Sequence, residues 1–573
     1  MSDIRVELVY VAIHRVIALI DFNIYNNIHK QYEFKKQTIL VDESLTENEK
    51  SEAIKILTRW YDEDKIRINE GTKRICEICN KECLATLFCE HCVRNYLKAN
   101  FSNWTSGNDD IDNLIKECQV KAICPNKIPE WIPYNEFRNI EYLTEGGCSE
   151  IYTAEWINGS YDEWDSEEQQ FKRFREQYVV LKRSENVENA NQSWFEEAKS
   201  HLNISNKWGE IVQCYGLTKD PSNGSYMLVM DKKDIDLRKY LQQNHHQLTW
   251  KERIQIAANI ILSLGRIHDE NAIHRDLHSG NILFTSYFSI SDLGFCGPAD
   301  KPLKSIYGNL PYVAPEVIIG KEQTFKSDIY SIAMIMWEIS SGQPPFINYE
   351  HNYDLAMNIV NGIRPKIVSG TPLEYKNLIM QCWDADPSKR PDINTLRKKI
   401  NDLNYFYQSK SNESLIRSQE NNSLEINSNI DSLKNYTNST SKVYHFENLP
   451  EPRNATEEEL EAFHSKSYNF YIPDNIDDFD KLNNQKNRTS RISSIFKGNS
   501  KKLFKIFKKN SKNDVQNSNY YREEIMQQQR KNIDIDEDEV HNNPNLHSEE
   551  QDELEIPDSK DLFYINAEIL FDF

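Results

Sequence analysis

The chain begins with an apolar run, VELVYVAIHRVIALIDF, whose hydrophobic positions recur at steps of three and four. That period predicts an amphipathic helix. Glu7, His14, Arg15 and Asp21 interrupt the run, so it does not read as a bilayer span. The stretch DESLTENEKSEAIKIL predicts a further helix, with Asp42, Ser44 and Thr46 as candidate N-caps and acidic residues suited to a helix start. Residues 1–70 read as an N-terminal helical segment. NFSNWTSGNDDIDNLIKECQ then predicts a turn and a short helix. From 134 to 408, strand-like and helix-like segments alternate without low-complexity breaks, as in an α+β body. Beyond 408, SNESLIRSQENNSLEINSNIDSLKNYTNSTSK is rich in Asn and Ser and poor in large apolar residues. Residues 409–573 therefore read as a largely disordered tail.

Composition narrows this picture. A length of 573 residues implies two or three units. The net charge of −21 makes nucleic acid an unlikely partner and argues equally against an acidic membrane for the molecule as a whole. Eleven cysteines, five of them within residues 76–92, do not form a secreted disulfide pattern. With no secretory signal visible, the expected setting is soluble and cytoplasmic, with the nucleus left open and the thiols reduced.

The candidate chemistry lies between 134 and 408. Moving a γ-phosphoryl group needs metal-held phosphates, a cation on the nucleotide and a carboxylate at the acceptor hydroxyl. YVVLKR is a short β-rich run ending near Lys182, and SWFEEAKSHL reads as a helix carrying Glu197, an ion-pair partner for that lysine. HRDLHSGN places Asp276 and Asn281 as catalytic carboxylate and metal ligand, and SDLG supplies a second metal-binding carboxylate, Asp292. APE at 314–316, KSDIYSIAMIMWEI at 326–339 and CWDADPSKRPD at 382–392 follow in order.

On these motifs, residues 134–408 resemble a eukaryotic protein kinase domain of bilobal α+β fold. DIYSIAMIMWE and CWDADPSKRP are most similar to the tyrosine-kinase-like group. The resemblance implies ATP with Mg²⁺ or Mn²⁺, and protein substrates phosphorylated on Ser or Thr, with Tyr as the other option. It also implies roles at matching positions. Gly146, Gly147, Ile151, Val180, Lys182, Met230, Asp231, Asn281 and Asp292 would contact nucleotide or its metal, with Met230 as gatekeeper and Asp231 opening the hinge. His274 and Leu293 would belong to an internal hydrophobic spine, and Glu316 and Arg390 to a buried ion pair. Arg275 before Asp276 implies control by phosphorylation of the activation loop, with Ser305 and Tyr307 as candidate sites; simple exposure of these hydroxyls is the other reading.

Several positions depart from the family pattern. LTEGGCSEIYTA offers Thr144, Gly146 and Ser149 where G-x-G-x-x-G is usual. Val180 stands where an alanine usually covers adenine. WINGSYDEWDSEEQQFKRFREQ, between the second and third strands, reads as a charged surface insertion, and the short interval from Asn281 to Asp292 predicts a trimmed hairpin. His278 occupies the position at which serine/threonine kinases usually carry lysine. A cationic imidazole there would donate best, predicting a rate that falls as pH rises past about 6.5. A pseudokinase scaffold is the alternative function, although every charged catalytic position is present.

CEICNKECLATLFCEHC holds Cys76, Cys79, Cys89 and Cys92 as two C-x-x-C pairs. This spacing predicts a structural Zn²⁺ site in a zinc-ribbon-like module within residues 71–133. Cys83 and His91 leave the ligand set open, and unligated buried cysteines are the competing reading. Such a module is suited to a protein partner. The juxtaposition of this cysteine cluster, NFSNWTSGN and EWIPYNEF ahead of the kinase-like residues resembles, loosely and over residues 1–408, the expanded tyrosine-kinase-like families of some filamentous fungi. In the tail, residues 486–512 carry ten basic and no acidic residues, with Leu503, Phe504, Ile506 and Phe507 interleaved. Two readings stay open: a short amphipathic helix in weak contact with an anionic membrane, an acidic partner or the acidic tail, and a solvated charged run. Ser490 and Ser493 each follow an arginine by two positions.

Overall fold

In a computed structural model of the chain, the described residues are 4–20, 24–145, 149–184, 192–294, 297–298, 306–409 and 441–465. No helix among them is long and apolar enough to cross a membrane.

Three helices open the chain: α1 (Val6–Ala18), α2 (Ile28–Leu40) and α3 (Glu47–Ile68). On α1, Leu8, Val9, Ala12, Ile13 and Val16 are buried, the apolar stripe that its period predicts. Of the three candidate N-caps, Thr46 caps α3, in a capping box with Glu49. Glu49 also pairs with Arg5 at 2.7 Å, which fastens α1 to α3.

The cysteine module follows, with β1 (Arg74–Ile75) antiparallel to β2 (Glu82–Cys83), then α4 (Glu90–Ala99) and α5 (Asp109–Lys121). Its second cysteine pair opens a helix, since Cys89 is the N-cap of α4, whereas a zinc ribbon would place a second hairpin there.

The upper lobe is a six-stranded sheet. Its strands are β3 (Glu130–Trp131), β4 (Phe137–Glu145), β5 (Ser149–Trp156), β8 (Gln177–Ser184), β9 (Cys214–Lys219) and β10 (Tyr226–Asp231), in the order β3-β9-β10-β8-β5-β4. Between β5 and β8 the charged insertion forms a hairpin, β6 (Tyr161–Asp165) with β7 (Gln170–Arg173). It is more than surface. Trp164 is buried, and Tyr161, Trp164 and Phe171 pack against the core formed by Cys76, Phe88 and Leu97. Lys55 and Arg59 on α3 pair with Glu163 and Asp162 of the hairpin. The segment thus joins the six-stranded sheet to the N-terminal helices and the cysteine module.

Helix α6 (Gln192–Ile204) lies against the sheet and against α5. Ile111, Leu114 and Ile115 of α5 share one buried core with Trp194, Ala198 and Leu202 of α6.

The lower lobe contains β11 (Ile235–Asp236), α7 (Leu237–Asn244), α8 (Trp250–Asp269), β12 (Ala272–Ile273), β13 (Ile282–Phe284), β14 (Phe288–Ile290), β15 (Gly297–Pro298) and β16 (Ile306–Gly308). It continues with α9 (Pro315–Ile318), α10 (Phe325–Ser341), α11 (Tyr353–Val360), α12 (Leu373–Cys382) and α13 (Ile393–Ser409). The trimmed hairpin is β13–β14, with Ile282 opposite Ile290. Helix α10 is buried on every face from Ser327 to Ser341 and forms the axis of the lobe. At its base Arg390 grips Glu316 with two contacts of 2.7 Å.

The tail contributes ordered structure as well: β17 (Lys442–Tyr444) pairs antiparallel with β16, and α14 (Glu457–His464) follows. The basic stretch 486–512, with Ser490 and Ser493, lies outside the described residues.

Candidate active site

Side chains on a sheet alternate between faces, and residues opposite one another share a face. Ile151 lies opposite Lys182, Thr153 opposite Val180, and Val180 opposite Met230. Ile151, Val180, Lys182 and Met230 therefore stand on one face, while Val179, Leu181 and Val229 fill the core on the other. Asp231 ends β10; its backbone N–H donates to Gln213 O at 2.9 Å, and its carboxylate takes the Tyr215 hydroxyl at 3.2 Å. Gly146 and Gly147 lie outside the described residues.

Lys182 reaches from β8 to two carboxylates, 2.7 Å from Glu197 on α6 and 2.6 Å from Asp292. Burial alone would discharge this lysine, but Asp292 and Glu197 outweigh it and raise its pKa. Burial likewise works against the Asp292 charge, and Lys182 outweighs it and lowers the pKa. Arg275 and Asp292 have φ of +71° and +58°, left-handed backbone that costs non-glycine residues of order 1–3 kcal/mol and concentrates at functional sites.

The loop that carries His274, Arg275 and Asp276 is held from below by Asp328, a residue of α10 to which the sequence motifs give no role. Its carboxylate accepts the backbone N–H of His274 at 2.8 Å and of Arg275 at 3.0 Å, and faces His268 at 2.9 Å. His274 and Leu293 are fully buried. The Leu293 N–H meets His201 Nε2 of α6 at 3.3 Å, a second tie between that helix and the Asp292 turn. Asn281 donates its amide to Asp276 O at 3.0 Å, so its side-chain oxygen is what it can offer a cation.

The Asp276 carboxylate is buried, which raises its pKa to about 7. Its Oδ1 accepts the hydroxyl of Ser441, from the tail, at 2.8 Å. His278 Nδ1 accepts the Gly280 N–H at 3.0 Å, which leaves the proton on Nε2. That atom lies 3.3 Å from Ser441 Oγ and 3.9 Å from Asp276 Oδ2. Burial, reinforced by the Arg238 charge, lowers the His278 pKa to about 3. The expectation of a cationic His278 is therefore corrected. The ring is neutral and donates through one nitrogen.

The activation-loop candidates fare differently from expectation. Ser305 lies outside the described residues. Tyr307 is buried in β16 with its backbone opposite Val443, so in this conformation it is not an open acceptor.

In the cysteine module, the Sγ atoms of Cys76, Cys79, Cys89 and Cys92 all lie within 4.8 Å of one another. Cys83 Sγ instead faces Arg74 O at 3.5 Å, and the half-buried His91 faces Glu82 O at 3.0 Å. The backbone N–H groups of Cys79 and Ile78 lower the Cys76 pKa to about 7, whereas burial pushes Cys92 up to about 12. One donor set of four sulfurs, with one thiol already poised to ionise, fits a tetrahedral soft cation.

Residues 137–400 match the family described as protein tyrosine and serine/threonine kinase. This part of the chain is a protein kinase domain. Similar proteins include roco8 of Dictyostelium discoideum, described as a probable serine/threonine-protein kinase, 31% identical over 227 residues. That alignment covers 37% of this chain and 12% of roco8. The dual specificity protein kinase shkE of the same organism is 30% identical over 205 residues, 34% of this chain and 28% of shkE. The dual specificity protein kinase zakA is 31% identical over 206 residues, 32% of this chain and 26% of zakA. The chain thus spans less than a third of each of these relatives, and the likeness is that of the kinase domain.

Proposed function

We propose that the domain is an active, ATP-dependent protein kinase that transfers the γ-phosphate to serine or threonine of protein substrates, within the tyrosine-kinase-like group. The observation that carries this reading is the connected charge set: Lys182 bridges Glu197 and Asp292, while Asp276 stands apart with an acceptor hydroxyl on its carboxylate. The relatives named for dual specificity leave tyrosine as a second acceptor class for those proteins.

In this reading Ile151, Val180 and Met230 line the nucleotide face, the Asp231 backbone meets the base, and Lys182 takes the phosphates. Asn281 and Asp292 would hold Mg²⁺, which neutralises charge developing on the transferred group. Asp276 orients the acceptor and receives its proton. Cys76, Cys79, Cys89 and Cys92 would hold structural Zn²⁺ with no open ligand position. The protein acts in intracellular signalling.

Incubation of the full chain with labelled ATP, Mg²⁺ and a serine-containing peptide tests the reading. Asp276→Asn should lower the rate by about 10²–10⁴-fold. Transfer that is absent, or indifferent to this substitution, would leave the pseudokinase scaffold as the function.

A further inference from the structure

Strand β17 enters the lower lobe along the activation segment, with Lys442 opposite Gly308, Val443 opposite Tyr307 and Tyr444 opposite Ile306. Continuing the register brings Ser441 opposite Asn309. Gly308 makes this approach possible. Its φ is +145°, and a Cβ there would come within 3.0 Å of Val313 and 3.4 Å of the Asp276 carboxylate. Ser441 is buried on arrival, and Tyr444 three residues on is buried too. Tyr444 stacks on Phe446 with ring centroids 5.5 Å apart, and Phe446 meets the edge of Tyr353 at 6.3 Å.

Beyond the strand, the segment is fastened at points remote from the chemistry. The Arg453 N–H donates to Val360 O at 3.1 Å. Asn454 accepts the Ala385 N–H at 2.9 Å and donates to Asp384 at 3.1 Å. Gly362, with φ of +90°, lets this backbone pass; a Cβ there would lie 2.2 Å from Ala455 N. Phe463 of α14 stacks on Tyr349 at 5.5 Å.

We propose that Ser441 is an intramolecular phosphate-acceptor site, delivered to Asp276 by residues 441–464, which occupy the groove that other protein substrates use. The proposal rests on the kinase reading above and names the first substrate of that site. An inert plug would need no hydroxyl at this point. Here the hydroxyl is present, and its hydrogen is aimed. His278 Nε2–H donates to Ser441 Oγ, so the serine's own hydrogen is left for the Asp276 carboxylate, where the proton must go. In the step, Ser441 Oγ attacks the γ-phosphorus of a nucleoside triphosphate and forms a new O–P bond. The bond from that phosphorus to the β,γ-bridging oxygen breaks, the electron pair leaves with the diphosphate, and the hydroxyl proton passes to Asp276. The product carries a charge of about −1.5 to −2 beside Asp276. Once Asp276 has released that proton to solvent, two anions share one buried site and repel. The three-residue strand then leaves, and the groove opens to other chains.

The same geometry describes the acceptors that would follow: a serine in extended backbone, with an aromatic residue three positions toward the C-terminus.

The test uses the full chain with ATP and Mg²⁺, phosphosite mapping by mass spectrometry, and a peptide of sequence SKVYHF as external acceptor. Ser441 should gain phosphate in a first-order process whose rate constant does not change on dilution. Peptide KM should fall by about tenfold as Ser441 fills, because the open state ceases to be the minor one. Asn454→Ala and Phe463→Ala should slow Ser441 modification severalfold and lower peptide KM, with kcat for the peptide retained. Peptide phosphorylation with Ser441 unmodified, or modified at a rate proportional to enzyme concentration, would overturn the proposal and leave the kinase reading standing. Transfer to neither acceptor would overturn both.

Discussion

Two segments flank the kinase domain and both touch its working parts, but they are attached by different physics. On the N-terminal side, α5 buries Ile111, Leu114 and Ile115 against the helix that carries Glu197. On the C-terminal side, residues 441–464 hold on through a three-residue strand pairing, a few polar contacts, two ring contacts and the burial of Tyr444 and Phe463 alone among their large side chains. Apolar burial contributes about 25 cal/mol per Å² and does not depend on the state of the site. Short strand pairings and exposed ion pairs contribute little each, and a single added charge can reverse them. The first attachment suits a permanent brace on the Lys182–Glu197 pair. The second suits a latch.

The largest test of this contrast is removal of metal. Zinc bound to four cysteines contributes about 10 kcal/mol or more to folding. A chelator should expose residues 71–99 to protease while the protection of 441–464 stays as it was. Unchanged protection of 71–99 would remove zinc from the brace. Next in size, Ile115→Ala should cost about 2–5 kcal/mol of stability, since Ile115 is fully buried. Phe463 is buried as well, but its loss falls on a segment that can detach by itself, so Phe463→Ala should cost the global fold about 1 kcal/mol or less. Thermal melts compare the two directly, and equal losses would erase the distinction between brace and latch.

A smaller effect concerns pH. Burial raises Asp276 to about 7, so below that value the carboxylate is protonated and cannot accept the serine proton. Phosphorylation of Ser441 should therefore rise about tenfold from pH 6 to its plateau above pH 7. His278 is neutral throughout this range, so His278→Gln should slow the reaction without moving the midpoint. A rate that falls with rising pH would contradict both assignments. The smallest effect belongs to the exposed pair by which Glu451, on the strap formed by residues 441–464, meets Lys321. Lys321→Ala should change strap protection by no more than about 0.5 kcal/mol, read by hydrogen exchange.

What could be read from the sequence followed from how local its cause was. Lys182, Asp276, Asn281 and Asp292 sit in short runs whose residue types suit phosphate and metal, and the fold brings Lys182 to Asp292 and Asn281 to Asp276. The two C-x-x-C pairs are similar, since a tetrahedral donor set constrains spacing. Residues whose importance comes from distant partners were harder. Asp328 lay in a recognised run, yet its task of holding two backbone N–H groups of the catalytic loop is a three-dimensional fact. The β6–β7 hairpin reads as charged surface because Trp164 and Phe171 are spaced among acids; the module that covers them precedes them by many residues. Ser441 was concealed by composition. It follows an Asn- and Ser-rich stretch, and the only local signal was KVYHF, a short β-prone run whose pairing strand lies in the activation segment.

The parallel pairing of β3 with β9 carries a consequence of its own. Gly216, at φ +147°, has its missing side chain replaced by Glu130: a Cβ would sit 1.9 Å from the Glu130 carbonyl oxygen. Glu130 and Trp131 precede the residues that define the family, which begin at 137. A chain trimmed to the family boundary would leave the outer edge of β9 with unpaired N–H and C=O groups and a glycine hollow, a template for strands of neighbouring molecules. Covering the edge of the kinase sheet is thus written partly outside the residues that define the family, and a piece cut for solubility should begin before Glu130.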